Sequence, residues 1–152
     1  MPIATIYNPS KPSETWKKIL IEFLIDEFPT SEAYITFSPI NLTATWPKDK
    51  IIQIIPLSPI NKKRYKATKD GVVKTVHKEV MECNIAVLTK NGRDADEISD
   101  RLLSHINDNT ADLGEAGLQD AYTSSPIFDP FMLGDLAVSR HIHRIVFQIE
   151  TY

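Results

Sequence analysis

The chain reads as an α+β protein: a two-layer sandwich with a mainly antiparallel sheet, two helices packed on it and a protruding β-hairpin. Three observations predict this. Two segments repeat apolar residues at helical spacing, and several others alternate with the period of two that a half-buried strand needs. Between two β-rich runs stands Asp70-Gly71, a hairpin turn signal. With 152 residues, of which 42% are hydrophobic, the chain suits one domain with a real core, spanning 1–152.

The first helix lies in "NPSKPSETWKKILIEFLIDEFPTSE". Ser13 is its expected N-cap, Glu14 suits the positive helix end, and Pro29 stops it. Trp16, Ile19, Leu20, Phe23, Leu24 and Phe28 form an apolar stripe that needs a sheet or helix to cover it. Up to three short strands follow between residues 32 and 57, in "EAYITFSP", "LTATWP" and "IIQIIPL". Pro39, Pro47, Pro56 and Pro59 place breaks between and after them.

The hairpin is expected near 62–69 going out and 72–80 returning. Its second strand runs on without a turn signal into "VMECNIAVLTK", where Met81, Cys83, Ile85 and Val87 share a face. The outer half of that strand is polar and the inner half apolar. A second helix fills "NGRDADEISDRLLSHINDN", with Asp94 and Glu97 as a capping-box-like start and Ile98, Leu102, Leu103 and Ile106 as its buried face. Residues 110–135 read as a loop-rich run. "RHIHRIVFQIETY" then alternates as a final strand, with His141, His143, Ile145, Phe147 and Ile149 on one face.

Composition excludes several function classes. A net charge of −3 argues against a protein that binds nucleic acid over its whole surface. The single cysteine, Cys83, lies on an apolar strand face and reads as buried and structural; it permits no internal disulfide and fits a reducing compartment. No signal peptide or membrane span is expected, so the protein should be soluble and made inside the cell. His141 and His143 offer two of the three or four ligands a metal needs, and His77 and His105 supply no recognisable spacing for the rest. Asp94, Asp96 and Glu97 lack the ligand run and central glycine of a calcium loop. With no GxSxG, HExxH, CxxC or phosphate-binding glycine loop, no catalytic, cofactor or metal residues are expected, and the protein reads as a non-enzyme.

Two segments call for a functional account. Residues 61–78 hold seven Lys or Arg against one Asp in a protein that is acidic overall. Lys62, Lys63, Arg64, Lys66, Lys69, Lys74 and Lys78 are either a solvated face that protects exposed edges, or a contact for an acidic partner subunit or for DNA phosphates. Tyr65 adds a possible anchor within "KKRYK". The second segment, "SSPIFDPFMLGD", carries Ile127, Phe128, Phe131, Met132 and Leu133, too apolar for a free surface loop. Either it folds back as a lid over the core or it packs on another subunit.

The order of elements is also familiar. A long strand "KEVMECNIAVLTK", a helix "NGRDADEISDRLLSHI", a loop with "SSPIFDPFMLGD" and a terminal strand "SRHIHRIVFQIETY" resemble the tail terminator (tail completion, or neck) proteins of long-tailed bacteriophages. The resemblance covers roughly residues 72 to 152 and does not extend over Ala33–Lys69. It implies a virion structural protein, made in the host cytoplasm, that assembles as a homo-hexameric ring on the head-proximal end of the tail tube. Such a ring ends tube growth and forms the head–tail joining surface, with no cofactor and no membrane. The implied partners are further copies of the chain, the tail tube protein and the head connector or neck protein, with DNA passing through the lumen. In that setting the basic hairpin, with Phe128, Phe131 and Met132, would contact a neighbouring subunit or the tube, because a strongly cationic lumen would retard DNA. The alternatives are another neck or connector subunit, or a small nucleic-acid-binding module built on the hairpin.

Overall fold

The computed structural model describes residues 3–38, 40–42, 46–57 and 61–152, and the side chains of residues 61 and 62 lie outside that description. Its elements are α1 (Pro12–Glu27), β1 (Tyr34–Thr36), β2 (Lys50–Pro56), β3 (Asn61–Lys69), β4 (Val72–Thr89), α2 (Gly92–Asp108), α3 (Thr110–Ala116), β5 (Gln119–Thr123), β6 (Ile127–Phe128), β7 (Phe131–Leu133) and β8 (Leu136–Thr151). The α+β reading holds: eight strands form a mainly antiparallel sheet in the order β1-β2-β4-β8-β5, and only β1 and β2 pair in parallel. The part of the expected strand "LTATWP" at residues 43–45, like Pro39 and Pro59, lies outside the described residues.

β4 organises the sheet. Along one edge it pairs with β2 from Cys83 to Thr89 and with β3 from Val72 to Val80, so β2 and β3 run end to end along a single partner. Along its other edge it pairs with β8 from His77 to Thr89. Asp70 and Gly71 make the turn between β3 and β4, both at positive φ (53° and 77°), as a tight primed turn requires. Beyond His77↔Thr151 the sheet narrows to the β3–β4 ribbon.

One sheet face carries the main core. Met81, Cys83, Ile85 and Val87 of β4 and Ile145, Phe147 and Ile149 of β8 meet Trp16, Ile19, Leu20, Phe23 and Leu24 of α1 and Ile98, Leu102 and Ile106 of α2. The opposite face has a smaller cluster of Ile51, Leu88 and Val138, covered in part by Trp46, Phe131, Leu133 and Leu136. Arg101 of α2 ties the two longer helices together. It donates to the Glu27 carboxylate at 3.1 Å, to the Glu27 carbonyl at 2.9 Å and to Glu32, and its guanidinium lies 4.7 Å from the centre of the Phe28 ring. Among the described residues, no helix is long and apolar enough to cross a membrane.

The structure corrects four local expectations. The N-cap of α1 is Lys11, not Ser13, because Pro12 takes the first helical turn, where its fixed φ fits and its missing N–H costs nothing. The cap of α2 is Asn91, whose side chain accepts from the Asp94 N–H at 2.8 Å and donates to the Asp94 carboxylate at 2.9 Å, so Asp94 closes the box instead of opening it. Leu103 is only half-buried, while Ala95, Ser99 and His105 complete the inward face. Residues 110–135 are mostly not loop: they hold a third helix, α3, and the short strands β5, β6 and β7. A left-handed Gly117 at φ 112° ends α3, its N–H donating to the terminal carbonyls of Leu113 and Gly114.

Candidate interaction surfaces

β8 is the ruler on which the candidate residues are placed. Its inward positions include His141 and His143, both in the middle of the strand beneath α2. His143 is fully buried, and its Nε2 lies 2.6 Å from the Ser99 hydroxyl. Its Nδ1 is buried with no hydrogen-bond partner among the described residues. Burial, reinforced by neighbouring His141 and opposed by Asp100, pushes its pKa down to about 4. The ring therefore stays neutral at physiological pH. His141 Nε2 lies 3.4 Å from Asp96 and its ring packs 4.4 Å from Phe128. His105 stacks on Phe23 and its Nε2 is 2.8 Å from the Phe23 carbonyl, a packing role between helices. Among the described residues, no cluster of three or more His, Cys, Asp or Glu side chains is arranged to hold a metal ion. Cys83 is fully buried in the main core, and burial pushes its thiol pKa up to about 12.

The hairpin cations are not equivalent. The backbone of Lys62 lies in β3, but its side chain falls outside the described residues. Lys69 and Lys74 lean back over Tyr152, with their ammonium groups 5.6 and 5.2 Å from the ring centre, and Lys69 also reaches the Glu150 carboxylate at 3.6 Å. Tyr65 donates to the same carboxylate at 3.1 Å, so it anchors the ribbon to its own sheet. Lys78 stands between Lys63 and Glu150 in the register, which offsets the like-charge pair across β3 and β4. Lys63, Arg64 and Lys66 remain exposed and, among the described residues, make no ion pair. At the tip, Val72 and Val73 leave 56% and 68% of their surface in water.

The second candidate surface forms at the other end of β8. β6 pairs Ile127 with Ile142 and Phe128 with His141, and β7 pairs Phe131 with Val138. Phe131 and Leu133 turn onto the smaller core cluster, and the Arg140 guanidinium lies 4.6 Å from the Phe131 ring. Ile127, Phe128 and Met132 do not: they are 65%, 68% and 64% exposed. Phe131 and Leu133 thus fold back onto the chain's own core, as one alternative for this segment expects, while Ile127, Phe128 and Met132 stay exposed. Period two separates Met132 from Phe131 and Leu133 in β7, and it puts Ile127 and Phe128 of β6 on opposite sheet faces, both exposed.

The two surfaces do not come together. The last hairpin register on β8 is at Thr151 and the Phe128 register is at His141, ten residues apart, or about 30 Å at strand rise. Sequence reasoning missed Val72 and Val73, whose signal is an apolar pair directly after Asp-Gly in an otherwise polar ribbon. It also missed the link from Phe128 through His141 to Asp96, which joins chain segments that only the fold makes neighbours. No protein-family model matches the chain, and no curated protein matches it.

Proposed function

We propose that this chain is a structural subunit of a long-tailed phage virion, a tail terminator that caps the head-proximal end of the tail tube, ends its growth and presents the joining surface to the head connector. The observation that supports this reading is the presence of two unlike exposed surfaces, one basic and one apolar, about 30 Å apart on a single long strand. A subunit with unlike contact surfaces at its two ends can assemble head to tail, and such contacts form a ring where the rotation between copies closes. The strand–helix–strand run that carries the resemblance, residues 72 to 152, folds as one continuous block on β4, α2 and β8, which also supports it. The site is the virion neck, the partners are further copies of the chain, the tube protein and the connector, and the subunit itself performs no chemistry.

Negative-stain electron microscopy of purified protein mixed with tail tubes that lack a terminator tests this. The expected result is a distinct cap on one tube end and arrested tube growth. Uncapped tubes would overturn it. A monomer that instead binds DNA, with affinity falling steeply as salt rises, would favour the nucleic-acid module, for which Lys63, Arg64 and Lys66 are the exposed described cations of the hairpin.

A further inference from the structure

We infer that the exposed Phe128 and Met132, on the sheet face that carries α2, receive the basic hairpin of a second copy of this chain. The inference rests on the ring-subunit reading above and names the surfaces that would make the ring. Each end of β8 leaves large apolar side chains in water: Val72 and Val73 at the hairpin tip, and Phe128 and Met132 of β6 and β7 at the other end. Apolar side chains that remain exposed together mark a contact site more often than isolated ones do.

Charge selects the occupant. The hairpin carries the exposed Lys63, Arg64 and Lys66 along its outgoing strand, behind the turn that holds Asp70. The β6–β7 patch continues onto an acidic helix face, because Phe128 packs on His141 and His141 lies 3.4 Å from Asp96. On that face of α2 the exposed Asp96 and Asp100 outnumber Arg93, Glu97 is paired with Arg101 at 3.8 Å, and Arg140 nearby is paired with Asp129. Patch against patch would oppose carboxylates, and tip against tip would oppose cations. Tip against patch joins apolar to apolar and positive to negative. A single chain cannot make this contact internally, since its two ends are held apart by the length of β8. The contact is therefore between copies and heterologous, the class of contact that forms a ring where the rotation between copies closes.

Two charge-reversed chains test it. One carries Lys63→Glu, Arg64→Glu and Lys66→Glu; the other carries Asp96→Lys and Asp100→Lys. Circular dichroism and thermal midpoints establish that each is folded. Self-association is then followed by sedimentation velocity in solution and by capping of tail tubes. Each variant alone should associate roughly a hundredfold more weakly than the original chain, as for loss of close interfacial charge pairs. An equimolar mixture should assemble again, because each reversed tip then meets a reversed patch. Either variant assembling like the original chain, or a folded mixture that stays monomeric, overturns the contact. So does an original chain that remains monomeric both in solution and on tubes. Normal capping by a variant would remove this contact and leave the terminator reading standing. Rings in solution that never cap tubes, but still obey the mixing rule, would do the reverse.

Discussion

Replacing Gly117 by alanine probes the point where the N-terminal segment closes over the fold. Gly117 sits at φ 112°, outside the region an L-residue adopts easily, and an added Cβ would overlap the Tyr7 Cβ and approach its Cγ to 3.2 Å. Tyr7 cannot retreat freely. Its N–H donates to the Ala116 carbonyl at 2.7 Å and its hydroxyl donates to the Glu150 carbonyl, so it is pinned to α3 and β8 at once. The backbone conformation costs about 1–2 kcal/mol, and displacing a packed side chain costs about 1–3 kcal/mol more. A total of about 3–4 kcal/mol is a large share of a domain's usual stability. At roughly 2–4 °C per kcal/mol for a chain of this size, the thermal midpoint should fall by about 10 °C. Urea unfolding of Gly117→Ala, alone and with Tyr7→Gly, measures both parts. In the Tyr7→Gly background only the backbone cost of about 1–2 kcal/mol should remain. Gly114→Ala is the control: it lies within α3 with nothing within 4 Å of its added Cβ, and should stabilise slightly. A Gly117→Ala loss below about 1 kcal/mol would refute the packing argument.

Three further outcomes follow from the buried and bridging groups. His143 has a native pKa of about 4 against 6.5 when unfolded, so the unfolded chain binds the extra proton first. Its contribution is full above pH 6.5 and is lost as pH falls toward 4, about 3 kcal/mol in all; urea titrations at several pH values should show a flatter slope in His143→Leu, and an unchanged slope would contradict the assignment. Cys83, buried with its thiol pushed up to about 12, should resist a disulfide reagent at pH 8 until denaturant is added, and rapid stoichiometric labelling of the folded protein would show that the strand opens. Arg101→Met should cost about 1–2 kcal/mol by urea unfolding, less at high salt, because its carboxylate pairs are partly exposed while its bond to the Glu27 carbonyl is not replaced.

The parts of the fold that were legible in the sequence are those with sustained periodicity. The stripe from Trp16 to Phe28, the face of Ile98, Leu102 and Ile106, and the alternation along β4 and β8 each repeat often enough for burial to dictate the residue type. The stretch from Thr110 to Leu133 was not legible, for a physical reason. α3 is seven residues long and contains Gly114, while β6 and β7 have two and three residues, too few to establish a period. The helix starts were displaced by one-residue effects, Pro12 in one case and the Asn91 side chain in the other. At the candidate surfaces, sequence located the basic ribbon and the apolar segment, but not how each divides. That Tyr65, Lys69 and Lys74 are drawn onto Glu150 and Tyr152 depends on how the ribbon lies against β8, and no local pattern encodes it.

β8 pairs with β4, β5, β6 and β7, and it is the last of the strands in chain order. During synthesis, β4 therefore emerges with one whole edge open, and β5, β6 and β7 have nothing to pair with until residues 136–151 leave the ribosome. The apolar patch is built on that same late strand, while the hairpin tip can form dozens of residues earlier. A nascent chain thus carries one end of the proposed contact without the other. The proposed contact therefore needs residues 136–151 in place, and the order in which the strands emerge sets when it can form.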